Sequence, residues 1–399
     1  MKKVKSVSMV SYLLLIVTLF LFSNSFTKEA SAEAKTLKIG LITSMTGPAA
    51  PAFKSMVEAA RPTEDLMNQR GGITVDGQKY NIQIIAEDDQ SSPPGAVAAA
   101  NKLVQTGIKF IIPPLFTPST LAVIPITEEA KVLCMKSLGT LREQANPNLH
   151  YSFGVSTFVY NPPVAYDYLK KNYPKVKKVA MISPDDPAGK TYRELAGKEI
   201  QRHGLEIVFQ EPFKIGSEDF YPILTKALEK KPDAIDVVFC IEPWSAGIIN
   251  QSRELGFTGP IYASVALLGD INILKGMLNP KYAHDLFQMG PDVQSPKMPS
   301  IVKEYRVLLE RQAKTPLNTA HITVLDAAYT LVQGIEKAQS IETDKVARAL
   351  ESMKSIDTAY GRGRMAGKDF FGVDHVIRRP IAVSGLMNGK VFSEFSNRD

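Results

Sequence analysis

The stretch FIIPPLFTPSTLAVIPITEEAKVLCM, residues 110–135, decides the fold. Phe110, Ile111 and Ile112 form a short apolar run of the kind that fills a strand covered on both faces, and residues 132–135 form another. Between them, residues 121–130 carry helical spacing. Strand, helix and strand in so short a span make a βαβ crossover, which joins parallel neighbours in one sheet.

The same alternation extends outward in both directions. Upstream, residues 37–42 read as a strand, and a helix then runs to Asn68, stopped by Gly71 and Gly72 and expected to kink or start late at Pro62. Residues 80–87 are a second strand and 94–107 a helix with proline at its start. A second series follows Asn161-Pro162-Pro163, with helices at 164–172, 189–203, 219–230 and 245–255 and strands at 179–182, 207–211, 234–241 and 261–263. Two three-layer α/β lobes follow. Helices at 300–314, 320–339 and 343–355 come next, then a β-rich tail at 381–395. The tail has no sheet of its own, so it must return to an earlier lobe, which implies several crossings between lobes.

Composition agrees. A chain of 399 residues with 44% hydrophobic and 22% charged residues supports two ordinary domains and excludes disorder, and a mean hydropathy of −0.06 excludes a polytopic membrane protein. Lys2, Lys3 and Lys5 precede the apolar run 10–22, and Ala30-Ser31-Ala32 offers a small-x-small cleavage site, so residues 1–32 read as a signal peptide cut after Ala32. The expected setting is the periplasm or extracytoplasmic space. Cleavage removes four Lys and one Glu, taking the formal charge from +6 to +3. The remaining charges interleave in sign, which argues against nucleic acid as a partner. Cys134 and Cys240 lie in apolar runs and read as buried small hydrophobes.

Catalytic and cofactor motifs are missing. The five histidines are dispersed, and the chain holds no H-E-x-x-H, G-x-S-x-G, phosphate loop, G-x-G-x-x-G after the first strand, or C-x-x-C. Gly361-Arg362-Gly363 reads as a turn. No metal, cofactor or enzyme activity is expected, and function should lie in binding. In open α/β sheets small ligands sit beyond the carboxyl ends of the strands. After 110–112, Thr117 is placed as a helix N-cap with Pro118 first in the helix, leaving the amides of Ser119 and Thr120 to face an anion; capping alone is the simpler alternative. The loop 137–140 offers a second hydroxyl. In the second series Glu242-Pro243-Trp244 holds the only Trp, a wall for an apolar ligand or a packing residue, while Phe158 and Tyr160 lie near the first crossing.

Five segments carry a family likeness: Ser44-Met45-Thr46-Gly47-Pro48; Asn68-Gln69-Arg70-Gly71-Gly72-Ile73; Glu87-Asp88-Asp89-Gln90-Ser91 with 96–104; Gly216-Ser217-Glu218-Asp219-Phe220; and Arg253-Glu254-Leu255-Gly256-Phe257. Together they resemble the extracytoplasmic solute-binding proteins of branched-chain amino acid ABC transporters, the leucine/isoleucine/valine-binding type. The resemblance implies the type 1 periplasmic binding protein fold: two Rossmann-like three-layer lobes with parallel sheets, a three-strand hinge and a ligand cleft between them. The expected division is 33–156 with 290–360 in the first lobe and 157–289 with 361–399 in the second. It also implies closure on a small carboxylate, delivery to a membrane permease, and a monomer.

By the same likeness Thr117 and Thr140 would hold the ligand carboxylate, with Leu138 supplying backbone. Two positions depart from the pattern of amino-acid binders: Ala188 stands where an aromatic residue is expected, and Val265 where an acid would meet the ammonium. The expected ligand is therefore a small carboxylate with an apolar or aromatic body, held by Thr117 and Thr140 at its charged end and by Phe116 and Trp244 along its length, with Ser119 and Tyr160 as further candidate ligand-binding residues. Glu242 is the candidate replacement for the missing acid should the ligand be an amino acid. The alternative function is a ligand sensor of the same fold controlling a signalling partner.

Overall fold

The computed structural model describes residues 34–48, 50–136, 141–265, 270–313 and 315–395. The expected signal peptide, Leu138 and Thr140 lie outside the described residues.

The first series builds β1 (Lys35–Thr43), α1 (Ala50–Gln69), β2 (Ile73–Val75), β3 (Gln78–Asp88), α2 (Pro93–Gln105), β4 (Phe110–Ile112), α3 (Thr117–Glu129), β5 (Leu133–Lys136) and β6 (Ser152–Gly154). The second builds α4 (Asn161–Asn172), β7 (Lys178–Pro184), α5 (Pro187–Arg202), β8 (Glu206–Phe213), α6 (Tyr221–Glu229), β9 (Ala234–Val237), α7 (Glu242–Glu254), β10 (Ile261–Ala263), α8 (Ile271–Met277) and β11 (Leu286–Met289). The chain then forms α9 (Ser300–Gln312), α10 (Thr319–Ala338), α11 (Thr343–Glu351), β12 (Ile356–Thr358), β13 (Gly361–Ala366), α12 (Lys368–Phe371), β14 (Val376–Arg378), β15 (Ala382–Met387) and β16 (Lys390–Phe395).

Two sheets result, in the orders β12-β13-β14-β6-β5-β4-β1-β3-β2 and β16-β15-β11-β10-β9-β7-β8. Their centres are parallel, as the βαβ pattern requires. Three of the four edges are antiparallel: β2 hairpins onto β3, β12 and β14 flank β13, and β15 pairs with both β11 and β16; the fourth, β8, runs parallel to β7. The sheets are thus mixed and not purely parallel, because connections as short as Asn388-Gly389 can only return a strand antiparallel.

Alternate residues of the central strands feed opposite layers. In the first lobe Ile39 and Leu41 face the large core with Met56 and Leu66 of α1 and the nearly enclosed α10, while Ile42 meets Ala96, Ala100 and Leu103 of α2 on the other side. α2 lies close enough that a Cβ on Gly40 would sit 2.7 Å from Leu103 Cδ1. In the second lobe Val179 and Met181 face α4 and α5, and Ala180 and Ile182 face α6 and α7. Each lobe is therefore a three-layer sandwich.

Three crossings join the lobes, at residues 155–160, 290–299 and 379–381. The last one revises the expected division: β13 and β14 pair into the first sheet, through Met365 opposite Ile377 and Val376 opposite Gly154, so residues 361–378 belong to the first lobe. Gly361-Arg362-Gly363, expected as a turn, opens β13. Two further differences have local causes. The strand expected over 234–241 stops at Val237, because Phe239 takes a left-handed backbone (φ 58°) with its N–H on the Val265 carbonyl at 2.8 Å. α1 runs through Pro62 without a late start, and the neighbouring Ala59 carbonyl accepts from the Tyr305 hydroxyl at 3.4 Å.

The segments that carry the family likeness fasten loops. Asp88 accepts from the amides of Met45 (2.9 Å) and Thr46 (3.2 Å), and Asp89 accepts from the Ser44 hydroxyl at 2.6 Å, tying the ends of β1 and β3 together. Asn68 makes both bonds to the backbone of Ile82 (2.7 and 2.9 Å). Buried Arg253 donates to the carbonyls of Phe257, Gly259 and His284. Cys134 and Cys240 are both free and buried.

Candidate ligand-binding cleft

The carboxyl ends of both parallel centres open toward the crossings, which is where such sheets hold ligands. In the first lobe, β4 leads through Pro113 and Pro114 into α3. The N-cap is Phe116, not Thr117: Phe116 is extended (φ −67°, ψ 118°), Thr117 is the first helical residue, and no side-chain cap is made. The helix starts one residue earlier because the Thr120 N–H already donates to the Phe116 carbonyl at 2.9 Å, while its hydroxyl donates to the Pro114 carbonyl at 2.5 Å. Thr117 and Phe116 are half-buried, while Ser119 is fully buried and its hydroxyl lacks a partner among the described residues. A buried unpartnered hydroxyl in the first turn of a helix is an unfilled polar position at the positive end of the helix dipole.

Lys136, which sequence reasoning passed over, ends β5 immediately before the residues that include Leu138 and Thr140. Its side chain is 2% exposed, its ammonium donates to the Ser152 hydroxyl at 2.6 Å, and burial lowers its pKa to about 8. A lysine closing the apolar run 132–135 was the available signal.

In the second lobe, Asp186 caps α5 through the Gly189 amide at 2.5 Å, and Ala188 is buried. Val265 is also fully buried, so the expected acid is absent and its position belongs to the core. Tyr192, Phe239 and Phe158 fill the corner beside the first crossing, with ring centroids 4.8 and 5.8 Å apart along that series for Tyr192 with Phe239 and Tyr192 with Phe158. Below them Asp236, fully buried, accepts from the Tyr166 hydroxyl (2.5 Å) and the Ser264 amide (2.9 Å), fixing the end of β10; burial lifts its carboxyl to about 6.

Glu242 opens α7 and accepts from the Asp270 amide at 3.2 Å; burial raises its carboxyl to about 7. Asp270, which caps α8, is raised by burial too. Trp244 packs edge-on against Phe213 (5.4 Å, 77°), which itself meets Phe220, so the structure gives the indole a place in the outer core of the second lobe. The Tyr160 hydroxyl donates to Asp369 at 2.8 Å and its ring lies under Arg378 at 4.9 Å. Tyr160 and Phe158 come together in a cavity of about 60 Å³ that touches all three crossings, with Thr319, Tyr360 and Arg379. Among the described residues no group of three or more His, Cys, Asp or Glu is placed to hold a metal ion, and no helix is long and apolar enough to cross a membrane.

Comparison with known proteins fits this geometry. The chain is 26% identical over 342 residues to the Leu/Ile/Val-binding protein BraC3 of Rhizobium johnstonii, covering 82% of this chain and 86% of that one. Its fold superposes on the LivJ substrate-binding protein of Streptococcus pneumoniae, solved with isoleucine (TM-score 0.74, 20% identity, 91% and 99% covered). It also superposes on a solute-binding protein of an ABC transporter from Rhodopseudomonas palustris, solved with 3,4-dihydroxybenzoic acid (TM-score 0.72, 21% identity, 90% and 96% covered). These relatives bind solutes and are not enzymes. The sequence model of the periplasmic binding protein family matches residues 36–389, through both lobes and all three crossings, and the chain therefore belongs to that extracytoplasmic family of solute-binding proteins.

Proposed function

We propose that the protein is the receptor of an ABC importer, closing its two lobes on a small carboxylate with an apolar or aromatic body and handing it to a membrane permease. The observation that carries the reading is the start of α3, where the buried Ser119 hydroxyl lacks a partner among the described residues and Thr117 is released from capping. Thr117 and Ser119 receive the carboxylate from the first lobe, and Thr140 and Leu138 complete that end. Closure is favoured because only the closed form contacts the ligand from both lobes. Family relatives named for leucine, isoleucine and valine, and a neighbour solved with a dihydroxybenzoate, span the two ligand types considered.

The test is calorimetric titration of the chain with aromatic acids, aliphatic acids and amino acids. Thr117→Ala and Thr140→Ala are each expected to weaken acid binding by about 1–3 kcal/mol, the range for a lost bond to a charged group. Unchanged affinity in both, with the fold intact by circular dichroism, removes these loops from the site.

One observation favours a second reading, capture of an amino acid: Glu242 is a half-buried carboxyl at the start of α7 in the second lobe whose bond is to a backbone amide. Glu242→Gln separates the two. With a simple acid as ligand, the variant binds within about twofold of the parent. The parent's affinity then rises as pH falls from 8 to 6, because protonation of a group titrating near 7 removes a negative charge from the site. With an amino acid the variant loses about tenfold or more, the cost of an ammonium left without its partner.

A further inference from the structure

Next to the hinge cavity, with which it shares Tyr360, Arg378, Arg379 and Pro380, the antiparallel edge of the first sheet forms one side of a groove of about 820 Å³ lined by Lys297, Lys354, Arg362, Arg364, Arg378 and Arg379 and, among the described residues, by no Asp or Glu. The cations come from three separate parts of the chain: the second crossing, the segment running from α11 into β13, and the third crossing with the end of β14. Six cations converge here although charges elsewhere in the chain interleave in sign.

The backbone holds these charges together against their repulsion. Arg362 and Arg364 are two residues apart on β13 and both are exposed on one face, and Arg364 stands directly opposite Arg378 on β14. Like charges in that cross-strand relation destabilise a sheet. Gly363 between them lets the strands close up, since a Cβ there would lie 2.8 Å from the Arg378 carbonyl oxygen. Two of the groove's cations are neutralised: Arg362 pairs with exposed Asp357 at 3.2 Å, and Arg379 pairs with buried Asp326. Among the described residues Lys297, Lys354 and Arg364 have no carboxylate within ion-pair distance.

We infer that this groove binds a polyvalent phosphate anion. Guanidinium forks suit the paired oxygens of a phosphate, and ammonium groups add point charges around it. The groove is larger than one small anion, so the ligand carries linked charges, either as a soluble oligophosphate or as a phospholipid headgroup beside its neighbours in a membrane surface.

The experiment titrates the chain with inorganic tripolyphosphate by calorimetry, with ionic strength held constant by NaCl. A second arm measures co-sedimentation with phosphatidylglycerol vesicles against phosphatidylcholine vesicles. Saturable binding is expected in at least one arm, and it identifies the source: tripolyphosphate alone means a soluble ligand, phosphatidylglycerol vesicles alone mean a lipid surface. Lys354→Gln and Arg364→Gln are each expected to weaken it about tenfold. Should Arg364→Gln fail to fold, Lys297→Gln, on an exposed loop residue, replaces it. Absence of saturable binding in both arms, or binding that is the same in the variants, overturns the assignment.

Discussion

Arg379→Met is expected to destabilise the protein by about 3–5 kcal/mol, the cost of removing one partner of a buried ion pair. Arg379 lies in the third crossing, and its guanidinium stacks over Tyr360 at 3.7 Å and pairs with Asp326 of α10, which is fully buried. Asp326 also accepts the Ala359 amide at 2.8 Å, so one carboxylate fastens both the third crossing and the approach to β13. Without Arg379 that carboxylate is left charged in the core, and it is already raised above its usual range by burial. Denaturant unfolding of the single variants and of the double variant Asp326→Leu/Arg379→Met checks this. The double variant should recover most of the loss, because replacing a whole buried pair with apolar groups is close to neutral. A single-variant loss below about 1 kcal/mol would mean that water reaches the pair.

Lys136→Met should act in the opposite direction. Burial lowers the pKa of Lys136 from 10.5 to about 8, so at pH 7 the folded state carries a charge it disfavours by about 3 kcal/mol. Methionine removes that penalty and loses the bond to Ser152, worth about 1 kcal/mol, for a net gain of about 2 kcal/mol. The sign with pH follows from linkage. A lysine with a lowered folded pKa makes the folded state hold fewer protons than the unfolded one, so the wild type gains stability from about pH 8 to about 10.5 while Lys136→Met does not. The advantage of the variant should therefore vanish across that window. Nearby Cys134, pushed up to about 11 by burial, titrates in both proteins, so the difference between them is the quantity to follow by thermal unfolding. A variant no more stable than wild type at pH 7 would refute the buried charge.

The parallel centres of both lobes were legible because their strands are apolar on both faces and their helices keep clear periodicity. Residues 110–112 and 261–263 form strands with the expected bounds. What escaped was short, polar at alternate positions, or dependent on distant chain. β13 reads Gly-Arg-Gly-Arg-Met-Ala, which resembles a turn until β14 supplies a partner. β6, Ser-Phe-Gly, and β11, Leu-Phe-Gln-Met, carry polar residues or glycine inside a short run, so they lack the continuous apolar signal of 110–112. At the site, Thr117 was placed one residue early in the capping scheme because Thr120, in the next turn, already bonds the Phe116 carbonyl through its N–H. Trp244 was open to two readings, and its contact with Phe213 depends on where β8 ends, which local sequence does not state.

The order of strands also bears on how the chain acquires its structure. β14 inserts between β13 and β6 through Val376 opposite Gly154, and β15 joins β11 through Leu386 opposite Leu286. Neither lobe is a contiguous segment, and strands that follow residue 375 join both sheets. Ring closures of this length carry a large entropic cost before any contact offsets it, and such distant pairings slow folding. The first sheet therefore waits for β14 and the second for β15 and β16, so neither lobe can close its sheet from its own leading segment alone.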